Sequence, residues 1–314
     1  MKVKTTTILA YVFAMIFVII LSLMYYLVQP IYTPKVLYIP TGSINKIITH
    51  LASKDYNVCK IDSFLLRMIG SPQSGWIDMQ TKRNTKADFL YKLTSSQAAL
   101  QNVTLIPGET TYVFLNQLAD NLHLDRKKLQ QAFEKYAPLK EGVFVPDTYR
   151  LPIGITEEKL IKVLLNVSHK KMKELSLKFF GSYNEKKWFH YVAIASVIQK
   201  ESANKEEMPL ISSVIYNRIN KGMKLQMDGT LNYGKYSHEK ITPYRIRHDN
   251  TTYNTYKHSG IPKTPVCNVS VDAIRAAIFP KKTKYLYFMK SKKGTHDFTC
   301  NYSTHLRNIS RATK

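Results

Sequence analysis

The sequence predicts an α+β protein with a single N-terminal transmembrane helix, a small α+β module and then a mixed α+β domain. Three observations predict it. Ile8 to Val28 is an unbroken apolar run without a charge. Beyond it, short β-branched and aromatic runs bounded by Pro and Gly alternate with segments of helical period. Finally, 314 residues exceed one small domain at roughly 100–200 residues each.

Composition narrows the class. Apolar residues are 44% and charged residues 22% of the chain, which excludes a disordered protein. There are 46 basic against 22 acidic residues, a formal net charge of +24. An excess of that size points to a polyanionic partner: nucleic acid, an anionic membrane surface or an acidic polymer.

The N-terminus chooses among these. A helix over Ile8–Val28, at about 1.5 Å per residue, matches a hydrocarbon core of about 30 Å. Lys2 and Lys4 precede it, so residues 1–7 are expected in the cytoplasm and the rest outside. Tyr25 and Tyr26 stand where an aromatic belt lies. A cleaved signal peptide has a shorter apolar region and a small-x-small site. Here the run ends in Tyr-Tyr-Leu-Val-Gln-Pro, so an uncleaved, single-pass anchor over 8–28 is expected. The residues from Val28 to Lys35 read as a short tether. A translocated domain does not meet the genome, so no nucleic-acid partner is expected; the bilayer and an acidic extracytoplasmic polymer are.

Cysteine adds little. Cys59, Cys267 and Cys300 are odd in number and widely spaced, so a buried free thiol is favoured over a Cys267–Cys300 pair. The nine His residues show no ligand spacing, and neither a metal nor a cofactor is expected.

The module spans 36–140. Val36–Ile39 reads as a strand, Ser43 caps a helix to about Lys54, Ile61–Ile69 is a second helix closed by Gly70, and Gly75–Met79 is a strand. Further helices are expected from Thr85 or Asp88, over Thr111–Asn121 and over Asp125–Tyr136, with a strand at Asn102–Ile106. No carboxylate or His pair there suggests catalysis.

From Glu141 the character changes. Val143–Tyr149 reads as an apolar strand, and Thr156 caps a helix to about Phe180. Ser182-Tyr-Asn-Glu185 reads as a capping box. The helix it opens is apolar around almost its whole circumference from Trp188 to Ile198 and is expected at the centre of the domain. Glu201 ends it on the face of Ile194, Val197 and Ile198. A carboxyl on that stripe is desolvated, which raises its pKa and suits a general acid; the alternative is a frayed helix end in solvent. A helix over Met208–Arg218 follows, then the polar-aromatic stretches Leu225–Gly234 and Tyr253–Tyr256, and two strands at Tyr285–Met289 and His296–Phe298.

The ordered series Val145–Tyr149, Ala195–Ser202, Val214–Arg218, Gly222–Asp228, Tyr253–Tyr256, Gly260–Pro262 and Tyr285–Phe288 with His296 resembles the endolytic peptidoglycan (murein) transglycosylase family, the YceG-like proteins. The resemblance covers the whole chain. It implies an N-terminal anchor, a LysM-like module at 36–140 and a catalytic domain at 141–314, in the bacterial cytoplasmic membrane with that domain outside. It implies peptidoglycan glycan strands as substrate, cleaved at the MurNAc–GlcNAc bond to leave 1,6-anhydro-MurNAc ends, with a peptidoglycan synthase of the penicillin-binding class as partner. Glu201 falls on the catalytic acid. Gln226, Asp228, Tyr253, Asn254, Tyr256, His296, Tyr216 and Asn217 fall on positions expected to bind substrate. Gly229 and Lys263 depart from the family pattern, which has Pro after the motif Asp and Pro-Pro-Gly in the later loop; both lie in loops and are expected to affect loop shape and subsite detail, not the acid.

Single-carboxyl chemistry is consistent with this. A glycosidase that uses water or an enzyme nucleophile needs two carboxyls about 5–9.5 Å apart. A transglycosylase that uses the sugar's own 6-hydroxyl needs one, and the region shows one clear Glu. Two readings stay open beside it: an inert LysM-type peptidoglycan-binding scaffold, expected to lose Glu201, and a hydrolytic muramidase.

Overall fold

The computed structural model describes residues 5–313. Lys2 and Lys4, on which the orientation of the anchor was read, lie outside the described residues. The chain forms two compact units, residues 1–101 with 151–154, and residues 102–150 with 155–314. The division falls at 101/102 rather than at 140. Helices α5 (Thr111–Leu122) and α6 (Arg126–Tyr136) belong to the second unit, where Phe114 and Phe133 meet Phe144 at ring distances of 5.4 and 5.6 Å.

In the first unit, helix α1 (Thr5–Val28) is exposed along nearly its whole length, and its Thr6–Val28 stretch is long and apolar enough to cross a membrane. No loose tether follows it. Strand β1 (Pro30–Tyr32) begins two residues later and pairs antiparallel with β4 (Arg83–Thr85), Pro30 opposite Thr85. Between them, β2 (Val36–Ile39), α2 (Ile44–Ala52), α3 (Lys60–Ile69) and β3 (Gly75–Asp78) form a β-α-α-β unit. Strands β2 and β3 are antiparallel, with Val36 opposite Asp78 and Ile39 opposite Gly75. Apolar spacing on α2 turns Ile47, Ile48 and Leu51 inward, and Leu66 of α3 joins them with Ile39, Ile77 and Met79. Helix α4 (Lys86–Ser95), capped by Thr85, closes this core with Phe89, Leu90 and Leu93.

Helix α4 also reaches α1. Lys86, 1% exposed, donates to the Tyr26 hydroxyl at 2.9 Å and lies 3.4 Å from Asp62 of α3. Tyr26 in turn donates to Asp62 at 2.9 Å. The last turn of α1 is thereby clamped to the module. Sequence reading missed this clamp, because Tyr26 reads as an aromatic-belt residue and Asp62 and Lys86 as ordinary surface residues.

The chain passes between the units at β5 (Leu100–Thr104) and β6 (Thr148–Pro152). Only the end of the expected strand over Val143–Tyr149 is one. Upstream of it, the Phe144 amide donates to the Asn268 carboxamide at 3.1 Å and the Val145 amide to Ser168 at 3.2 Å. Side chains thus take the backbone donors that a strand partner would need.

The second unit is built around α8 (Glu185–Glu201). Its cap is Asn184, which accepts from the Lys187 amide at 2.9 Å, and not Ser182, whose carbonyl is taken by the Ser176 hydroxyl at 2.8 Å. Helix α7 (Glu157–Phe180) precedes it, and α9 (Met208–Asn220) and α11 (Val271–Ile278) pack against it. Trp188, Val192, Ile194, Val197 and Ile198 are at most 1% exposed. Burying each such side chain contributes about 1.5–3 kcal/mol, so α8 is held firmly in the core beside the site. The short α10 (Pro243–His248), the antiparallel hairpin of β7 (Tyr287–Lys290) and β8 (His296–Thr299), and α12 (Tyr302–Thr313) complete the unit. Among the described residues all three cysteines are free thiols, and Cys267 is buried.

Candidate active site

Helix α8 delivers Glu201 to its last position, at the floor of a cleft of about 500 Å3. The preceding turns are locked from several sides. Ser196 accepts from the Val266 amide at 2.8 Å, and the Gln199 side-chain Oε1 accepts from the Ser270 hydroxyl at 2.7 Å. The Ser202 amide donates to the Ile198 carbonyl at 3.0 Å, closing the helix end. A carboxyl at the end of so rigid a helix is positioned, not frayed.

Glu201 is largely withdrawn from water. Burial pushes its carboxyl up to about 7, the nearby Asp228 carboxylate adds to the rise, and the Gly229 amide and Arg218 guanidinium oppose it. The Gly229 amide donates to Glu201 Oε1 at 2.7 Å. A Cβ at Gly229 would lie 2.7 Å from the Lys200 Cβ and 2.9 Å from Glu201 Oε1. The departure from the family pattern at this position therefore bears on the acid itself: proline has no amide hydrogen to give.

Asp228 and Gly229 open a 3-10 turn, Asp228–Leu231. Gln226 just before it has φ of +49°, a left-handed backbone uncommon for a residue with a side chain. That conformation is held by its amide bond to the Thr255 carbonyl at 3.2 Å and by the Met227 amide to the Thr255 hydroxyl at 3.0 Å. The Tyr256 hydroxyl donates to Asp228 Oδ1 at 2.7 Å. Burial and the Asp228 carboxylate together push the Tyr256 phenol well above its usual range, so it remains a donor. Asp228, expected among the substrate-binding residues, stands at the cleft as a second carboxylate beside Glu201.

The opposite wall comes from the β7–β8 hairpin and α12: Tyr287, Phe288, Met289, Lys290, Tyr302 and His305. His296 stands among them. Its backbone amide and Nδ1 each lie 2.7 Å from the Glu207 carboxylate, one to each oxygen. Burial works against ionised Glu207, but the contacts from His296 outweigh it and hold the carboxyl below its usual range. With Nδ1 committed to Glu207, Nε2 is the ring nitrogen available to a ligand. Arg218 crosses beneath, donating to the Leu286 carbonyl at 2.7 Å and to the Leu225 carbonyl, with its guanidinium 5.4 Å from the Tyr287 ring.

Of the residues expected at the site, Glu201, Gln226, Asp228, Tyr256 and His296 line the cleft. Four others serve the fold around it. The Tyr216 hydroxyl donates to the Ala277 carbonyl at 2.7 Å, and the Asn217 amide to the Thr283 and Tyr285 carbonyls, both at 2.9 Å. Asn254 is fully buried, its amide bonded to the Ile246 and Asp249 carbonyls at 2.8 and 2.7 Å. Tyr253 stacks on Tyr233 at 4.4 Å and shares a 2.8 Å bond with Thr264. Arg218, Glu207, Tyr287 and His305 went unassigned. Glu207 carried no signal, as an acid in a polar turn; Arg218 had a weak one, a lone cation on an otherwise apolar helix. A larger hollow of about 730 Å3 lies at the other end of α8, bordered by Phe189, Ile261 and Pro265. The chemistry selects the smaller cleft, which holds the desolvated acid.

The sequence profile of the YceG-like family matches residues 37–311. An endolytic murein transglycosylase of Bacillus subtilis is 31% identical over 166 residues, 52% of this chain and 46% of that protein. One of Streptococcus pneumoniae is 32% identical over 177 residues, 54% of this chain and 31% of that protein. The match spans less than half the length of these curated relatives. A crystal structure of a yceG-like protein from Listeria monocytogenes shares the fold, with a TM-score of 0.55 and 23% identity over 89% of this chain and 99% of that one.

Proposed function

Because the chain belongs to the YceG-like family, we propose that it is a membrane-anchored endolytic murein transglycosylase. Its substrate is the nascent peptidoglycan glycan strand, cut at the MurNAc–GlcNAc bond to leave a 1,6-anhydro-MurNAc end. The observation that carries this is the desolvated Glu201, raised to about 7 at the floor of a polar cleft. Such a carboxyl is still substantially protonated near neutral pH, where an ordinary one is not, and can take a proton back after giving one up.

The reaction balances on this one group. Glu201 gives its proton to the glycosidic oxygen as the bond from muramic C1 breaks. The muramic 6-hydroxyl oxygen bonds to C1, and its proton passes to Glu201, which is restored. No water is consumed. The Gly229 amide stabilises the transient carboxylate. Asp228, aligned by the Tyr256 hydroxyl, places a negative charge near the positive charge developing at C1. Gln226 and His296 offer hydrogen bonds to sugar substituents.

In this reading α1 anchors the chain once in the cytoplasmic membrane, with the residues that follow it outside. The β-α-α-β segment serves as a LysM-like module that holds the strand, and a peptidoglycan synthase works beside it, so that cleavage ends glycan elongation. The test is mass spectrometry of uncrosslinked glycan digested by the full chain in detergent. Anhydro-ended fragments are expected; reducing ends would make it a hydrolase, and intact glycan would make it a binding protein.

A further inference from the structure

We propose that α3 is an interfacial helix whose outward face, Ile61, Phe64, Met68 and Ile69, beds into the headgroup region of the bilayer that α1 crosses. The proposal rests on α1 being a membrane span. It adds a second lipid contact, made by the folded module itself.

The pattern on α3 is unusual for a helix in water. Asp62, Ser63 and Leu66 face the module and are buried. On the outer side Ile61, Phe64, Met68 and Ile69 are 54%, 62%, 73% and 47% exposed. At 3.6 residues per turn these four fall on one continuous stripe. Single exposed apolar side chains need no explanation, but an aligned stripe marks a binding surface. Lys60 and Arg67, both exposed, lie along one edge of it. An apolar face edged by cations suits a lipid boundary with anionic headgroups.

The clamp fixes what this stripe meets. Tyr26 lies two residues before the end of α1, about 3 Å along the helix axis. Its hydroxyl donates to Asp62 at 2.9 Å and touches the Cys59 sulfur at 3.3 Å. The first turn of α3 is therefore level with the last turn of the span. Helix α3 is about 15 Å long, and interfacial helices lie about 5–10 Å into the headgroup boundary. If α1 crosses the bilayer, the start of α3 lies within reach of that boundary. Tyr26 meets the inner face of α3 at Asp62, next in sequence to Ile61 at the start of the stripe, so the stripe begins beside the end of the exposed apolar surface of α1, which makes lipid the occupant that continues it.

The test uses the full chain in vesicles of phosphatidylcholine and phosphatidylglycerol carrying bromine high on the acyl chains. Phe64→Trp and Met68→Trp each add one indole to an exposed position, and the emission of the two native tryptophans is subtracted from the unsubstituted chain. Val18→Trp, in the middle of α1, reports the span with bromine placed deep. Loss of the added emission at 64 and 68 to shallow bromine, with protection from aqueous acrylamide, is expected. If Val18→Trp is quenched by deep bromine while 64 and 68 respond only to acrylamide, the interfacial helix is overturned and the anchor stands. Silence of 64 and 68 to both quenchers overturns it in favour of a protein partner or a second copy. Failure of Val18→Trp to respond overturns the anchor and this proposal together.

Discussion

Glu201→Gln separates stability from activity, and the pH at which it does so follows from the site. The carboxyl is raised from 4.5 to about 7, chiefly by burial. Between those values the folded chain holds a proton that the unfolded chain releases. The acid therefore favours folding fully below about 4.5, and that contribution drains away as pH rises towards 7. Each pH unit is worth about 1.4 kcal/mol, so by pH 8 the ionised, desolvated Glu201 costs the fold roughly 3 kcal/mol. Glutamine keeps the shape and still accepts from the Gly229 amide, but it has no charge to desolvate. Glu201→Gln should match the natural protein in stability near pH 4.5 and exceed it by roughly 3 kcal/mol at pH 8. At roughly 2–4 °C per kcal/mol for a unit of this size, that is on the order of 5–10 °C in melting temperature. Glu141, buried and pushed up to about 8, makes both proteins lose stability with rising pH, so the difference between them is the quantity to read. The two units need not melt together. The assay is urea unfolding in detergent followed by Trp188, fully buried in the second unit, in a Trp76→Phe background. Activity should fall by roughly 10²–10⁴-fold below about pH 7, and the gap should narrow above it as the natural acid loses its proton. A variant no more stable than the parent at pH 8 would refute the desolvated acid, whatever its activity.

Three further outcomes follow from the same geometry. Glu207→Gln removes the charge that aligns His296, and at about 1.5 kcal/mol for a charge-assisted bond kcat/KM should fall roughly tenfold, chiefly through a raised KM; a change confined to the melting curve would assign Glu207 to the fold alone. Gly229→Ala sets a Cβ at 2.7 Å from Lys200 and 2.9 Å from Glu201, which should cost about 1–3 kcal/mol in strain. It should also draw the amide away from Glu201 and move the alkaline limb of the pH–rate profile upward; an unmoved limb would mean that the amide does not tune the acid. Asn254→Ala removes the side-chain donor to the half-buried Ile246 and Asp249 carbonyls and should lower stability by about 1 kcal/mol while KM of the folded enzyme stays constant. A raised KM with an unchanged melt would show that Asn254 meets substrate.

What the sequence determined by itself is local. A run without charge from Ile8 to Val28 defines a helix suited to a bilayer. The spacing of Ile194, Val197 and Ile198 before Glu201 marks a carboxyl on an apolar face, because positions three, four and seven apart meet within two turns of one helix. The β-α-α-β order and the β7–β8 hairpin were legible for the same reason: each is written in a short stretch of periodicity ended by Gly or Pro. Contacts between distant segments were not. The Gly229 amide comes to Glu201 from 28 residues away, Glu207 meets His296 across 89, and Tyr26 finds Lys86 across 60. Nothing near Asn254 distinguishes an amide that ties a loop together from one that holds a sugar. Nor does anything near Lys86 reveal that its ammonium will be buried. Such roles depend on which donors the packing of α8, α9 and the hairpin leaves without water, and only the tertiary structure decides that.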